Sequence, residues 1–207
     1  MVPLLIAMLI TCASYAQRAD TTKKQNVEKG EFDIESVPEY PGGLPAFYAY
    51  VHKNLKYPDV ARLIGINGKL HVSFVVDKDG SITDVTPTNC IGAGCEAEAV
   101  KLLEGSPKWK PGIQNSKAVR VRYNMPITFN LTGKEKVYMI NLRKSDYGFI
   151  FNIKGTLYTI DEAEKILGKQ FESTNIEIAQ PFFNYNKIAK FDIPNKKEVY
   201  LIILKST

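Results

Sequence analysis

The sequence predicts an α+β fold: a small three-stranded antiparallel sheet packed against helices, followed by a second small α+β unit. Three observations carry that reading. From Val119 every second residue is large and apolar (Val121, Tyr123, Met125, Ile127, Phe129, Leu131), with Arg120, Arg122, Asn124, Pro126, Thr128 and Asn130 between them. Such a period of two is a strand with one face in a core and one in water. Leu70, Val72, Phe74 and Val76 alternate in the same way, and after Asp79-Gly80 the run Ile82–Val85 returns. That is a β-hairpin with strong turn chemistry. Phe47, Tyr50, Val51 and Leu55 instead share one face at helical spacing.

The 207 residues allow one large or two small domains, and 44% hydrophobic with 24% charged residues is an ordinary globular balance. The 27 basic and 22 acidic residues are spread evenly, with no basic arm or stripe, so nucleic acid is not an expected partner.

In chain order, residues 1–16 (MVPLLIAMLITCASYA) are uncharged, and Ser14 and Ala16 supply the small residues a signal peptidase cuts after. A secreted, periplasmic protein follows. Two alternatives stay open: a lipoprotein at Cys12 and an uncleaved anchor. Residues 17–36 are polar and read as a flexible lead-in, reaching at most about 70 Å if fully extended. A first domain is expected over 37–133, with a helix over Leu44–Leu55, where Pro45 suits the first turn. A second short helix after Tyr57-Pro58 stops at Gly65. Glu96–Glu104 makes a third helix, and the strand from Val119 completes the sheet. Pro126 lacks a ladder donor, which pushes that strand to a sheet edge or a bulge. A long exposed edge is normally an aggregation hazard, so its retention asks for a reason.

Residues 134–207 form a second cycle. Val137–Leu142 and Phe149–Ile153 read as strands, Lys154-Gly155 as a turn, and Ile176–Ala179 and Val199–Leu204 as further strands. Thr159 and Glu162 make a capping box before DEAEKIL, and Gly168 closes that helix. The role of this extension is not readable from its residues.

Cys90 and Cys95, in NCIGAGCEAE, are close enough for a disulfide once the two glycines turn the chain. A loop that short would stabilise by only about 2 kcal/mol. Two unpaired thiols are the alternative. No metal site is expected, because two Cys and the distant His52 and His71 do not make a ligand set. In DKDG the calcium-loop likeness fails, since Thr88 stands where the bidentate Glu belongs. No nucleophile elbow or phosphate loop is present, and the carboxylates of Glu96, Glu98, Asp161, Glu162 and Glu164 cluster at helix starts, where they complement the dipole. The expectation is therefore a non-enzyme without a cofactor.

The order YPGG, helix, NLKYP, a short helix ending at Gly65-x-x-Gly68, VSFVVDKDGSITDV, helix, WKPG and VRVRYNMPITFNL resembles the TonB C-terminal domain family over residues 37–131. The match rests on Tyr57-Pro58, Asp79-Gly80, Trp109-Lys110-Pro111-Gly112 and Pro126-x-x-Phe129 taken together. The resemblance implies a periplasmic helix-on-sheet module that captures the TonB box, a short extended peptide of outer-membrane transporters, for energy-coupled transport. It implies partner contacts on Val119, Arg120, Val121, Arg122, Tyr123, Asn124 and Met125, joined by Asn54, Leu55 and Lys56 before Tyr57-Pro58. Capture would proceed by β-augmentation, which is a reason to keep the edge. Trp109 would pack under the sheet. The implied partners are a TonB-dependent outer-membrane transporter and, alternatively, inner-membrane motor proteins, peptidoglycan or a second copy as a homodimer. Family energy transducers have a transmembrane helix and a long Pro- and Lys-rich spacer, whereas here the spacer is about twenty residues. The second class of function is accordingly a structural envelope protein, peptidoglycan-associated, without energy transduction.

Overall fold

Residues 34–133 and 135–205 are described by a computed structural model of the protein. The signal segment 1–16 and most of the lead-in therefore lie outside the described residues. The elements run α1 (Gly43–Asn54), α2 (Asp59–Ile64), β1 (Gly68–Val76), β2 (Ile82–Pro87), α3 (Cys95–Glu104), β3 (Gly112–Gln114), β4 (Lys117–Val119) and β5 (Val121–Phe129). They continue as β6 (Lys136–Tyr138), α4 (Met139–Lys144), β7 (Tyr147–Ile153), β8 (Thr156–Thr159), α5 (Ile160–Leu167), β9 (Gln170–Glu172), β10 (Ile176–Pro181) and β11 (Glu198–Leu204). The class is α+β, as expected. No helix among the described residues is long and apolar enough to cross a membrane.

Two compact units divide the chain, and they interleave along it. The first holds residues 34–55, 70–90 and 99–127; the second holds 56–69, 91–98 and 128–205. The sequence reading had placed one boundary, at 133/134.

In the first unit, β1 and β2 pair antiparallel in a three-stranded sheet ordered β2-β1-β5. The alternation seen in the sequence is the pattern of burial: Leu70, Val72, Phe74 and Val76 are all buried. A bulge interrupts the ladder, because Ser73 faces Thr86 while Val75 faces Thr83, leaving one extra residue on β2. Asp84 takes the left-handed conformation there, with φ 52°.

Trp109 is the centre of this unit's core. Its ring lies 5.4–5.8 Å from those of Tyr40, Phe47, Phe74 and Tyr123, in tilted or edge-on arrangements. The expected packing of Trp109 under the sheet is thus observed. Its indole N–H donates to Ser106 Oγ at 3.1 Å. The β1–β2 turn docks on the same residue: the Trp109 amide donates to the Gly80 carbonyl at 2.8 Å. Gly80 has φ 82°, and a Cβ there would lie 2.0 Å from the Trp109 carbonyl oxygen. Only glycine permits that approach. Lys108 ties the turn from outside through Asp79, Nζ to Oδ2 at 2.6 Å. That bond, followed by those from Ser81, holds the Asp79 carboxyl well below the usual range.

The described residues before α1 pair with the segment around β3. Ser36 bridges Ile113 and Glu39 bridges Lys110, both antiparallel, and the Glu35 carboxylate accepts from the Ser116 amide.

The second unit contains a four-stranded sheet ordered β10-β11-β7-β8. β11 runs parallel to β7, and the other two pairings are antiparallel. Ile150, Phe191 and Leu201 are buried together, with Phe182, Ile193 and Val199 packed on them. The Thr159–Glu162 capping box forms reciprocally at α5, and Gly168 ends the helix. One expected strand is corrected. Val137–Leu142 is a strand only to Tyr138, after which Met139–Lys144 is helical with Met139 and Leu142 buried. A mostly apolar segment of six residues does not distinguish the two periods.

The cysteine loop is also corrected. Cys95 is a free, fully buried thiol, so the expected Cys90–Cys95 bridge is not formed. The loop between them is shaped by other bonds. Glu96 accepts from the amides of Ile91 and Gly92 at 2.6 and 2.7 Å, and the Ala93 amide donates to the Ala179 carbonyl on β10 at 2.6 Å. These bonds start α3 at Cys95 and turn its side chain inward.

Two outcomes test this description. Gly80→Ala must open the Trp109 approach and hold alanine at positive φ, so urea unfolding should show a loss of at least about 2 kcal/mol. Burial, then Glu96 and Glu98, push the Cys95 thiol up to about 12. Iodoacetamide at pH 8 should therefore leave Cys95 unlabelled in the native protein and label it in denaturant, as read by peptide mass mapping. Native labelling of Cys95 would contradict its burial.

Candidate functional site

β5 is the outer strand of the sheet β2-β1-β5, with no strand beyond it among the described residues. Its odd-numbered face is anchored. Met125, Ile127 and Phe129 are buried, and Tyr123 stacks on Phe74 with centroids 5.9 Å apart. The Tyr123 hydroxyl donates to the Pro38 carbonyl at 2.9 Å, and burial raises the pKa of this phenol above its ordinary value. Arg122, Asn124 and Thr128 are exposed on the opposite face. Pro126 sits in mid-strand, where the outer position tolerates its missing donor.

The expected single strand from Val119 breaks at Arg120. Val119 belongs to β4, which pairs antiparallel with β3, Val119 opposite Gly112. The hairpin turns through Asn115 and Ser116, with φ 50° and 58°. Two successive left-handed residues make the turn that suits a two-residue hairpin. Its signal, Asn115 between two short apolar pairs, was available in the sequence. Gly112 is required beside β5, since a Cβ there would lie 2.6 Å from Val121 Cγ2. The continuous outer edge is thus Val121–Phe129, and Val119 is already paired.

Arg120 is not a free surface cation. Its guanidinium reaches Asp77 Oδ2 at 3.1 Å and Asp84 Oδ2 at 3.2 Å. The bulge at Asp84 aims that carboxylate across the exposed face of the sheet. Arg122 makes one hydrogen bond, to Ser73 Oγ on β1 at 3.2 Å, and no ion pair. Sequence reasoning placed both arginines outside the core, which is correct, and missed the two carboxylates that hold the first.

The residues before Tyr57-Pro58 stand apart from the strand's chemistry. Asn54 ends α1 and turns its amide back to the Tyr50 carbonyl at 2.8 Å. Leu55 is half-buried and closes α1 through its amide to Val51. Neither makes a hydrogen bond to residues 119–125. Lys56 is exposed. The Tyr57 hydroxyl donates to the Ile66 carbonyl, and its ring packs edge-on against Phe129 at 5.5 Å. Burial, then the nearby Cys95, push this phenol up to about 12.

Two NMR solution structures of the Helicobacter pylori TonB-CTD are similar to the chain. The one of residues 179–285 is 27% identical, covers 44% of this chain and 87% of that one, and has a TM-score of 0.33. The one of residues 194–285 is 22% identical, covers 42% and 92%, and has a TM-score of 0.31. No curated protein matches the chain. Over residues 53–131, the segment that contains β5 and Tyr57-Pro58, the chain matches the family of the Gram-negative bacterial TonB protein C-terminal.

Proposed function

We propose that this protein is a TonB-like periplasmic module in which β5 takes an extended peptide, the TonB box of an outer-membrane transporter, as an added strand. The observation that carries the reading is the open nine-residue edge Val121–Phe129, rigidly backed by Trp109 and its neighbours. A strand added there would satisfy main-chain groups along the edge, and alternate side chains would set the sequence preference. Arg122 and Asn124 present the polar contacts, and Tyr123 and Met125 fix the strand from beneath. Asn54, Leu55 and Lys56 would supply side contacts on the peptide. Val119 and Arg120 act as supports: one is paired within its hairpin, the other clamps the β1–β2 hairpin through Asp77 and Asp84. The match to the family over 53–131 supports a role in transport.

Main-chain pairing gives a direct test. A synthetic peptide from the N-terminal plug segment of a TonB-dependent transporter of the same envelope should bind the full chain and slow amide exchange within 121–129. The same peptide with alternate amides N-methylated keeps its side chains and loses its donors, so its affinity should fall at least about tenfold. Equal affinity of the methylated peptide, or unchanged exchange in 121–129, would remove this edge as the site. Arg122→Glu should alter affinity with stability held within about 0.5 kcal/mol. Arg120→Glu puts a third carboxylate beside Asp77 and Asp84 and should cost about 1 kcal/mol, so it is the control for a structural rather than a binding effect.

A further inference from the structure

The loop between β10 and β11 has two halves with opposite character. Its base is packed: the Phe182 amide donates to the Val199 carbonyl at 2.7 Å, and buried Phe191 meets Phe182 edge-on at 6.1 Å. Lys190 lies over the Phe191 ring and pairs with Glu162 at 2.8 Å. The tip does not pack inward. Phe183 is 63% exposed, Tyr185 62% and Ile188 43%, and the two rings lie against each other at 5.7 Å. The tip is nevertheless held in shape. Asn184 donates from Nδ2 to the Ile188 carbonyl at 2.9 Å, and its Oδ1 accepts from the Ile188 amide at 3.0 Å. Lys187 N–H donates to the Asn184 carbonyl at 3.0 Å, with Lys187 itself at φ 48°. A turn stapled so that its apolar side chains face water marks an interaction site rather than a packing accident.

Charge decides between partners. Residues 182–197 carry Lys187, Lys190, Lys196 and Lys197 against the single acid Asp192; Lys190 is answered by Glu162 and the Lys196 ammonium donates to the Arg143 and Ser145 carbonyls, so Lys187 is the cation that stands at the tip. A sugar platform would need directed polar groups around the rings. The polar side chain between them, Asn184, uses both its oxygen and its amide within the turn. Aromatic rings and an isoleucine flanked by lysines match instead the interface of an anionic bilayer, where rings sit at headgroup depth and ammonium groups meet phosphate.

We propose that the tip Phe183–Ile188 docks the protein on an anionic lipid surface, with Phe183, Tyr185 and Ile188 entering the interface and Lys187 meeting the headgroups. The proposal is independent of peptide capture at β5. The test uses the full chain with vesicles of about 30% phosphatidylglycerol in phosphatidylcholine. Phe183→Trp keeps the aromatic tip and should show a blue-shifted emission on binding, over the constant signal of buried Trp109. Phe183→Ser with Tyr185→Ser should lower partitioning at least about tenfold, and Lys187→Ala about fivefold, with the circular dichroism unchanged. Absence of the blue shift at saturating vesicles would overturn the proposal. So would wild-type partitioning by the double variant, or equal binding to neutral phosphatidylcholine. A blue shift given by chitooligosaccharide and not by vesicles would replace the lipid with a glycan and overturn it as well.

Discussion

The backbone contact between Gly80 and Trp109 is the constraint on which the first unit depends. It joins a turn to a ring that are 29 positions apart, at a spacing no side chain allows. Once the Trp109 main chain is pinned under the turn, its indole can only enter the space below the sheet. There it meets Phe74 from β1, Tyr123 from β5, Phe47 from α1 and Tyr40 from the segment before it. Each of these contacts comes from a different stretch of chain, so closure of one turn sets the position of four elements. Burial of rings this size contributes on the order of 2–3 kcal/mol each, which the sparse three-stranded sheet would lack without them. The β5 edge is tied to this cluster through Tyr123, which is held by the Phe74 ring and by its hydroxyl on the Pro38 carbonyl.

What the sequence revealed follows the range of the forces involved. The β1–β2 hairpin, the Thr159 capping box and the alternation of β5 rest on neighbours within a few residues, and each is present where the pattern put it. The break at Arg120 was not legible from alternation, since Val119 and Val121 continue the same period on either side of it. Its signal lay in Asn115, whose left-handed conformation turns β3 into β4. The two carboxylates on Arg120 were less accessible still. Asp77 and Asp84 come within reach only because β1 and β2 pair with a bulge, and no spacing in the chain announces that.

The second unit fails in one place for a related reason. Lys136–Lys144 offers Val137, Met139, Ile140 and Leu142, which suit a strand and a helix equally. Tertiary contact chooses: Val137 is buried in the β6–β9 pair, while Met139 and Leu142 are buried three apart on one turn of α4. Cys95 shows the same priority of packing over local chemistry. Two cysteines five apart suggest a bridge, yet Glu96 gathers the amides of Ile91 and Gly92 and Ala93 is drawn onto β10, and Cys95 stays a free, buried thiol.

If β5 takes an added strand as proposed, its open edge must admit that strand and refuse others. Unprotected edges recruit copies of themselves, and charged side chains and proline are the usual defences. Pro126 leaves the strand one main-chain donor short at mid-length, one of these defences. Arg122, which has no ion pair among the described residues, would bring like charges together if two copies paired antiparallel about it, which is unfavourable across a strand pair. A peptide that lacks basic residues and is shorter than the edge meets neither obstacle. Arg120 cannot serve in that defence, because its charge is already answered by Asp77 and Asp84. On the proposed strand addition, selection against self-association and selection for the partner would fall on the same few residues, Arg122, Asn124 and Pro126, while the buried residues Met125, Ile127 and Phe129 hold the strand from beneath.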